Sequence, residues 1–247
     1  MARYQVILAY DGTGFQGSQR QVNTRTVQGE LESSLRKFGW SEGTVIMAGR
    51  TDTGVHATGQ VAAFNMDWTH SEEKLLRGLN GELPPDIAVK SLRAVSEDFH
   101  PRFDATARRY RYRLFSDAIR DPLREKLAWR VWPAFDENIL RQTADLFPGT
   151  HDFAAFGSRT TPKGTTMRKV TKTGWRKMPD GEWQFEVQAD AFLYRMVRRM
   201  VFVQVAAAQG RCSLKEVQQA LSKQKALLSG MAPAHGLTLV EVTYGSQ

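Results

Sequence analysis

Residues 182–189 read EWQFEVQA, a stretch in which polar and apolar side chains alternate strictly. A period of two is typical of a β-strand with one buried face. Residues 168–177 also have a strand-like pattern, and Pro179-Asp180-Gly181 between the two segments indicates a tight turn. The sequence therefore predicts an antiparallel hairpin in the second half of the chain.

The elements around this hairpin form a defined order. They are a strand at 108–115, a helix begun by Asp136, the hairpin, a long apolar helix begun by Asp190 and ending near Gly210, a short helix with a capping box of Ser213 and Glu216, and a strand at 237–244. The polar, basic segment 160–172 is punctuated by Gly and Pro, and we expect a loop there.

The first half of the chain has the same order of elements. Strands are predicted at 3–10, 44–48, 60–64 and 87–94, with helices begun by Thr26 and Ser71. This β-α-β-β-α-β order is the ferredoxin-like unit. The predicted fold class is α+β, with two ferredoxin-like subdomains, 1–105 and 106–247, and mainly antiparallel sheets.

Composition excludes several classes of protein. The chain has 247 residues, of which 41% are hydrophobic and 24% charged, as in globular proteins and unlike disordered, collagen-like or coiled-coil chains. The single Cys212 excludes an internal disulfide and a cysteine-based zinc site, so we expect a reducing, cytoplasmic location. No signal peptide is recognisable. The most apolar segment, 191–208, contains three arginines, so we expect no membrane span.

The positive charge is confined to the second half. The formal net charge is +8, but residues 1–105 carry −2 and residues 106–247 carry +10. Residues 102–113, RFDATARRYRYR, interleave arginines with aromatic residues. Such a pattern favours RNA, since arginine pairs with phosphates and aromatic rings stack on unpaired bases. A strand with two different faces produces the same pattern, so this alternative stays open.

The densest candidate site is the loop at 48–60, AGRTDTGVHATGQ. Its glycines let the backbone turn tightly and approach a ligand. Arg50 and Asp52 lie two residues apart and share a face on extended backbone. An arginine beside a carboxylate favours the ionised form, which can act as a nucleophile. The alternative is an Asx turn in which Asp52 only bonds the backbone.

Other patterns are weaker. Residues 11–17, DGTGFQG, follow a strand but match neither a dinucleotide-binding nor a P-loop motif, so an ordinary glycine-rich loop is favoured. The five histidines show no metal-ligand spacing, and we expect no metal. In the apolar helix, Arg195 shares a face with Arg198 and with Arg199 by helical spacing, either as a basic rim or facing a buried anion.

Five segments together resemble the tRNA pseudouridine synthase A family. The loop GRTDTGVHA resembles the family's GRTDAGVHA, with Thr53 where Ala is usual. LAYDGTGFQG resembles the opening YDGTxFxGWQ, with Ser18 in place of the usual Trp. The remaining matches are FHPRFDATARRYRY at 99–112, GTHDF at 149–153 and FLYRMVR at 192–198. They span most of the chain in the family's order.

The resemblance implies isomerisation of uridine to pseudouridine at positions 38–40 of the tRNA anticodon stem-loop. It implies that Asp52 is the catalytic aspartate, that Tyr110 packs on the target base, that Arg50 lies beside the aspartate and the flipped nucleotide, and that Arg198 pairs with the aspartate. It further implies two subdomains with the active cleft between them, a homodimer, and no cofactor or metal.

Two other function classes stay as alternatives. A non-catalytic single-stranded RNA-binding module would use the aromatics and arginines alone, and would have no use for a carboxylate facing a polyanion. A glycoside hydrolase would need a second carboxylate about 5–9 Å from Asp52, and the loop offers no obvious one. The mass of the RNA discriminates, because isomerisation leaves it unchanged and hydrolysis releases uracil.

Overall fold

The computed structural model describes residues 1–41, 43–159, 161, 164–223 and 227–245. By contacts, the chain divides into two compact units: unit 1 comprises Met1–Thr106 and Thr238–Gln247, and unit 2 comprises Ala107–Leu237. The division lies close to the boundary predicted after residue 105. It differs at the end of the chain, where the last strand groups with unit 1.

The helices and strands follow the predicted order with two additional strands. The strands are β1 Ala2–Tyr10, β2 Ile46–Met47, β3 His56–Met66, β4 Ile87–Val95, β5 Ala105–Ser116, β6 Trp129–Val131, β7 Gly149–Asp152, β8 Met167–Lys177, β9 Trp183–Ala189 and β10 Leu237–Tyr244. The α-helices are α1 Val27–Arg36, α2 Glu72–Glu82, α3 Glu137–Ala144, α4 Met196–Ala208 and α5 Leu214–Lys223. Strands β6 and β7 were not predicted.

Unit 1 is an antiparallel sheet covered by two helices. Its strand order is β4-β1-β3, with β2 antiparallel on β3. β10 joins β3 in parallel through Thr238 and His56, which explains why the chain's last strand belongs to this unit. Helices α1 and α2 begin as predicted, since the Thr26 and Ser71 side chains accept backbone N–H bonds of the first turn. Their apolar stripes are buried.

Unit 2 has its own antiparallel order, β5-β9-β8-β7, with β6 parallel to β5. The hairpin of β8 and β9 is confirmed, and β9 buries Trp183, Phe185, Val187 and Ala189 as its alternation predicts. Helix α4 is buried over most of its length and packs against α3. The α+β class with mainly antiparallel strand pairing is confirmed.

The start of α4 was predicted wrongly. The helix begins at Met196 rather than after Asp190, because the backbone of Tyr194 pairs with that of Ser158 in an extended bridge. Asp190 instead accepts hydrogen bonds from the backbone N–H groups of Lys169 and Ala191. The predicted caps Asp136 and Ser213 are confirmed, and Ser213 and Glu216 form the reciprocal capping box.

Two further expectations concern particular segments. The loop predicted at 160–172 is shorter, because β8 begins at Met167; residues 160, 162 and 163 of it lie outside the described residues. Among the described helices, none combines the length and apolar character that a membrane crossing requires.

Candidate active site

The Asp52 loop is bonded to β3 at its start and leads directly into β3 at its end. The backbone N–H of Ala48 donates to the carbonyl of Val61 at 2.8 Å, and the Gln60 side chain donates to the carbonyl of Gly49 at 2.8 Å. The backbone N–H of Val55 donates to the carbonyl of Asp52 at 3.1 Å, closing the turn before β3 begins. These hydrogen bonds make the loop a rigid connection and not a freely exposed one.

Thr51, the residue before Asp52, is held on several sides. Its hydroxyl lies 2.9 Å from the Tyr10 hydroxyl, and its backbone N–H donates to Ser18 Oγ at 2.9 Å. The Ser18 N–H in turn donates to the Thr51 carbonyl at 3.1 Å. Burial raises the pKa of Tyr10 to about 12, although hydrogen bonds with Thr51 and Gln60 act in the opposite direction. A neutral tyrosine thus takes part in fixing the backbone next to Asp52.

The glycine-rich segment 11–17 packs directly against this loop. A Cβ on Gly12 would lie 2.1 Å from the carbonyl oxygen of Val55. Gly17 has a φ of +88°, and its Cβ would lie 2.9 Å from the Thr51 carbonyl oxygen. The interpretation of this segment as an ordinary loop was incomplete, because its glycines allow the two loops to approach each other.

His56 joins the same two segments from the end of the motif. Its buried ring accepts a hydrogen bond from the Gly12 N–H at Nδ1, at 3.0 Å, and Nδ1 lies 3.1 Å from Asp11 Oδ1. Burial raises the pKa of Asp11. The hydrogen bonds from Thr13, together with the charge of His56 and a hydrogen bond with it, outweigh burial, so that the pKa of Asp11 is lowered overall. The spacing of the histidines in the sequence addressed only metal binding and does not indicate this positioning role. The signal was present, since His56 lies in the motif itself.

The two predicted site residues of unit 1 differ in exposure. Asp52 is half-buried, whereas Arg50 is exposed. The loop thus carries a half-buried carboxylate and, two residues before it, an exposed arginine. A carboxylate held by a rigid backbone in this way can act as a nucleophile or stabilise a positive charge.

Tyr110 lies on β5 in unit 2. It is 8% exposed, and its ring meets that of Phe192 edge to face, with centroids 5.0 Å apart. Its backbone neighbour across the sheet is Val187 of β9. The ring is therefore held in a fixed orientation by aromatic and strand packing.

Arg198 lies in the first turn of α4 and is half-buried. Its Nε donates to the Ala232 carbonyl at 2.9 Å. The next carbonyl along, that of Pro233, accepts from the hydroxyl of Tyr112 at 2.9 Å. Burial raises the pKa of Tyr112 well above its usual value, and the nearby charge of Arg198 partly offsets this. Arg198 is thus oriented by the segment that precedes β10.

The arginines of β5 are mostly engaged in ion pairs. Arg111 and Arg109 both approach Glu186 of β9, at 2.9 and 3.5 Å. Arg113 binds Glu182 through two hydrogen bonds of 2.7 Å, and Glu182 is only 2% exposed. Residues 109–113 are therefore better described by the alternative of a strand with two different faces. One face carries paired arginines, and the other face is buried.

Metal-ligating side chains do not gather in the described part of the chain, where no group of three or more His, Cys, Asp or Glu residues could hold an ion.

Comparison with known proteins identifies the family. A family model described as tRNA pseudouridine synthase matches residues 6–104 and 143–245, including the whole Asp52 loop. The chain belongs to this family. The matched regions also contain the Gly12 and Gly17 segment, which packs against the Asp52 loop, and the first turn of α4 with Arg198.

Individual relatives match over nearly their full length. Proteins named tRNA pseudouridine synthase A are 39% identical in Chloroflexus aurantiacus, covering 99% of this chain and 89% of the relative. The identity is 40% for Methylacidiphilum infernorum, over 98% and 95%. It is 37% for Limosilactobacillus fermentum, over 100% and 97%. Membership of the family therefore concerns the entire chain and not one shared domain.

Proposed function

We propose that this protein isomerises uridine to pseudouridine in tRNA, at positions 38–40 of the anticodon stem-loop. The observation that carries the proposal is the match of nearly the whole chain to relatives of the family, with the motif GRTDTGVHA present around Asp52. The rigid loop that holds Asp52 supports an enzymatic role over RNA binding alone, because binding a polyanion gains nothing from a preorganised carboxylate.

The chemistry explains the kinds of residue involved. The bond from C1′ of the ribose to N1 of uracil breaks, the base turns, and C1′ bonds to C5. The proton on C5 is lost and N1 gains one, so atoms and charge balance without oxidation or hydrolysis. No step requires a cofactor, and we propose that none is used. The target base must leave the helical stack before the bond is accessible.

Asp52 is the proposed catalytic carboxylate. Two routes are chemically available: attack on C1′ as the base leaves, or addition to C6 of the base. Both need an ionised carboxylate with a fixed orientation. The hydrogen bonds of Thr51 with Tyr10 and Ser18 support this role, because they hold the backbone immediately before Asp52.

The other proposed roles follow the family motifs. Arg50, exposed beside Asp52, contacts the flipped nucleotide. Tyr110 packs on the target base, for which its fixed ring is suited. Arg198 pairs with the carboxylate and favours its ionised form. A stacking tyrosine and an inserted arginine together offset the cost of extruding the base, about a few kcal/mol.

Finer features of the architecture belong to the same proposal. We infer that each subdomain is ferredoxin-like; the antiparallel order β4-β1-β3-β2 in unit 1 supports this.

We also propose a homodimer that acts in the cytoplasm. Sedimentation at several protein concentrations tests the dimer, which is expected to give one species of twice the chain mass.

The deciding experiment uses unmodified tRNA and maps pseudouridine residue by residue. Pseudouridine at positions 38–40, with the RNA mass unchanged, is the expected result. Release of uracil would indicate hydrolysis, and bound but unmodified RNA would leave only a binding module. Turnover is expected to survive chelation when the substrate is a prefolded stem-loop, so that any loss of RNA structure does not imitate a metal requirement.

A further inference from the structure

A cavity of about 270 Å³ lies within unit 2, and Asp52, Arg50, Tyr110 and Arg198 are not among its lining residues. Its walls are the turn at 154–158, the backbone before α4 at Tyr194 and Arg195, the helix residue Arg199, and Gly230 with Met231. The mouth is open to solvent, since Tyr194 is 45% exposed. The cavity can therefore receive part of a larger molecule as well as a small ion.

The charge of the cavity is positive. Arg195 and Arg199 both line it, and among its lining residues within the described part of the chain none is acidic. Arg199 donates hydrogen bonds to the carbonyls of Leu227 and Gly230. Burial lowers the pKa of Arg199. A bound anion would offset this effect of burial.

The backbone around the cavity is specialised. Arg195 has a φ of +65°, in the left-handed region that residues other than glycine rarely adopt. Gly157 lies so close to Tyr194 that a Cβ would be 2.8 Å from the Tyr194 carbonyl oxygen. A Cβ on Gly230 would be 2.1 Å from the ring of Phe202. These close approaches bring the backbone of Gly157 against Tyr194 and that of Gly230 against Phe202.

The three arginines at the start of α4 therefore separate into two sets. Arg198 is directed to the Ala232 carbonyl, whereas Arg195 and Arg199 line the cavity. The guanidinium of Arg195 lies over the ring of Tyr194, at 4.6 Å from its centroid. A cation held on an exposed aromatic ring is a combination that suits a phosphate with a neighbouring base or sugar.

We propose that Arg195 and Arg199 hold one phosphate of the RNA backbone in this cavity, with Tyr194 against the adjoining nucleoside. The inference rests on the proposed function, because it takes tRNA as the bound molecule. A guanidinium pair with no competing acid selects a phosphodiester by charge and by the fork geometry of arginine. The open mouth beside Tyr194 favours a phosphate within a chain over a free ion.

The first test compares Arg195→Gln with Arg120→Gln in binding to an anticodon stem-loop RNA over a range of salt concentrations. Arg195→Gln removes the charge of the exposed member of the pair. Arg120 is a matched control, since it is also in unit 2, is 73% exposed and pairs with Glu125. The slope of log K against log salt is expected to become shallower by about 0.7–0.9 in Arg195→Gln and to stay unchanged in Arg120→Gln. An unchanged slope in Arg195→Gln, or equal changes in both variants, would overturn the proposal.

A second pair of variants avoids disturbing the arginines. Ser158→Asp places a carboxylate at the exposed wall of the cavity, and Ser158→Asn places a neutral group of nearly the same shape there. RNA affinity is expected to fall about tenfold for Asp and to change less than about twofold for Asn. Thermal melts of both variants exclude unfolding as the cause. Equal affinities for the two variants would count against a phosphate in the cavity.

A third arm separates RNA from free anions, using inorganic phosphate as the probe. Saturable phosphate binding that Arg195→Gln abolishes, with an unchanged RNA slope, would assign the cavity to a small ion and refute the RNA proposal. The wild-type pseudouridine assay keeps the two proposals apart. A wild-type protein that forms no pseudouridine but loses RNA affinity in Arg195→Gln would refute the activity and support the phosphate site.

Discussion

The loop at 48–55 in unit 1 and strand β5 in unit 2 carry the two densest patterns of the sequence, yet their functional groups have opposite surroundings. The loop is built from neutral contacts, such as the bonds of Thr51 with Tyr10 and Ser18, and its single carboxylate is held by backbone geometry. Strand β5 carries many charges, but Arg111 and Arg113 are matched to Glu186 and Glu182.

This difference shows that a count of charges is a poor measure of what a surface offers to RNA. Glu182 and Glu186 lie 69 and 75 residues away from their partners Arg113 and Arg111, so no local window of sequence contains both members of a pair. In the loop, by contrast, the carboxylate, the turn from Asp52 to Val55 and the bond of Gln60 to Gly49 lie within one motif, although Tyr10 and Ser18 come from outside it. The following experiments disturb one region while the other serves as reference.

The largest effect is expected for Asp52→Asn, which keeps the size of the side chain and removes its charge. Turnover should fall by about 10³-fold or more, as when a covalent nucleophile is lost. Affinity for tRNA should persist, since phosphate contacts dominate it. The measurements are pseudouridine formation, an RNA binding isotherm and a thermal melt on one preparation.

Asp67→Asn, on an exposed residue of the same unit, is the matched control and should retain full activity. A folded Asp52→Asn protein that binds RNA and still forms pseudouridine at a substantial rate would remove Asp52 from catalysis. The Asx-turn interpretation of this residue would then be correct.

Gly12→Ala tests whether the Asp52 loop depends on its contact with the segment at 11–17. The new Cβ would lie 2.1 Å from the Val55 carbonyl oxygen, so one of the two backbones must move. We expect a loss of about 3 kcal/mol in the free energy of unfolding, together with reduced turnover. Chemical denaturation and the pseudouridine assay measure the two effects.

Gly49→Ala is the control from the loop itself, because a Cβ there would meet nothing within 4 Å. It should change the free energy of unfolding by about 0.5 kcal/mol or less. If the two alanine variants behaved alike, the close packing of segment 11–17 on the loop would have no functional consequence.

Neutralising Arg108, Arg109 and Arg111 together tests the basic strand. Arg109 and Arg111 approach Glu186, and Arg108 donates to the Asp190 carbonyl, so these groups are not three independent phosphate contacts. The salt slope of tRNA binding should therefore become shallower by about 1 rather than by the value for three contacts. An entirely unchanged slope would exclude this strand from RNA binding.

Glu186→Gln should change the salt slope of tRNA binding in the opposite direction. It removes the carboxylate that Arg109 and Arg111 share, and the slope should become steeper by about 1 as their charge becomes available to phosphates. An unaltered slope in Glu186→Gln would show that these arginines do not reach RNA even when their ion pairs are broken.

The smallest effect concerns the pH dependence of stability. Burial raises the pKa of Glu186, but the hydrogen bond and charge of Arg111 outweigh it, so the folded-state pKa lies below the ordinary value of 4.5. The ionised Glu186 carboxylate therefore contributes fully to the free energy of unfolding above pH 4.5. This contribution is lost as the pH falls through the folded-state pKa of Glu186. At neutral pH the free energy of unfolding of the wild type should exceed that of Glu186→Gln by about 1 kcal/mol or less.

Denaturation curves recorded at a series of pH values should show this difference closing toward acid pH, where both side chains are neutral. A difference that widened on acidification would contradict the assignment of Glu186 to the Arg111 ion pair.

Local signals in the sequence predicted much of the fold. The alternation at 182–189 and the turn at 179–181 specified the hairpin, and the caps Thr26, Ser71 and Asp136 marked three helix starts, because these features act between residues close in the chain. The start of α4 was missed for the opposite reason. Asp190 has the chemistry of a cap, but the bridge from Tyr194 to Ser158, made across the unit, keeps residues 190–194 out of the helix.

The sequence by itself determined the class of fold and the family motifs, and it singled out Asp52 as the candidate catalytic carboxylate. Only the tertiary structure decided which groups support that residue and which charges are available. The contact of Gly12 with Val55, the pairing of Arg113 with Glu182 and the cavity at Arg195 all join positions far apart in the chain. Their energies depend on distance and burial in three dimensions, and the order of residues does not contain those quantities.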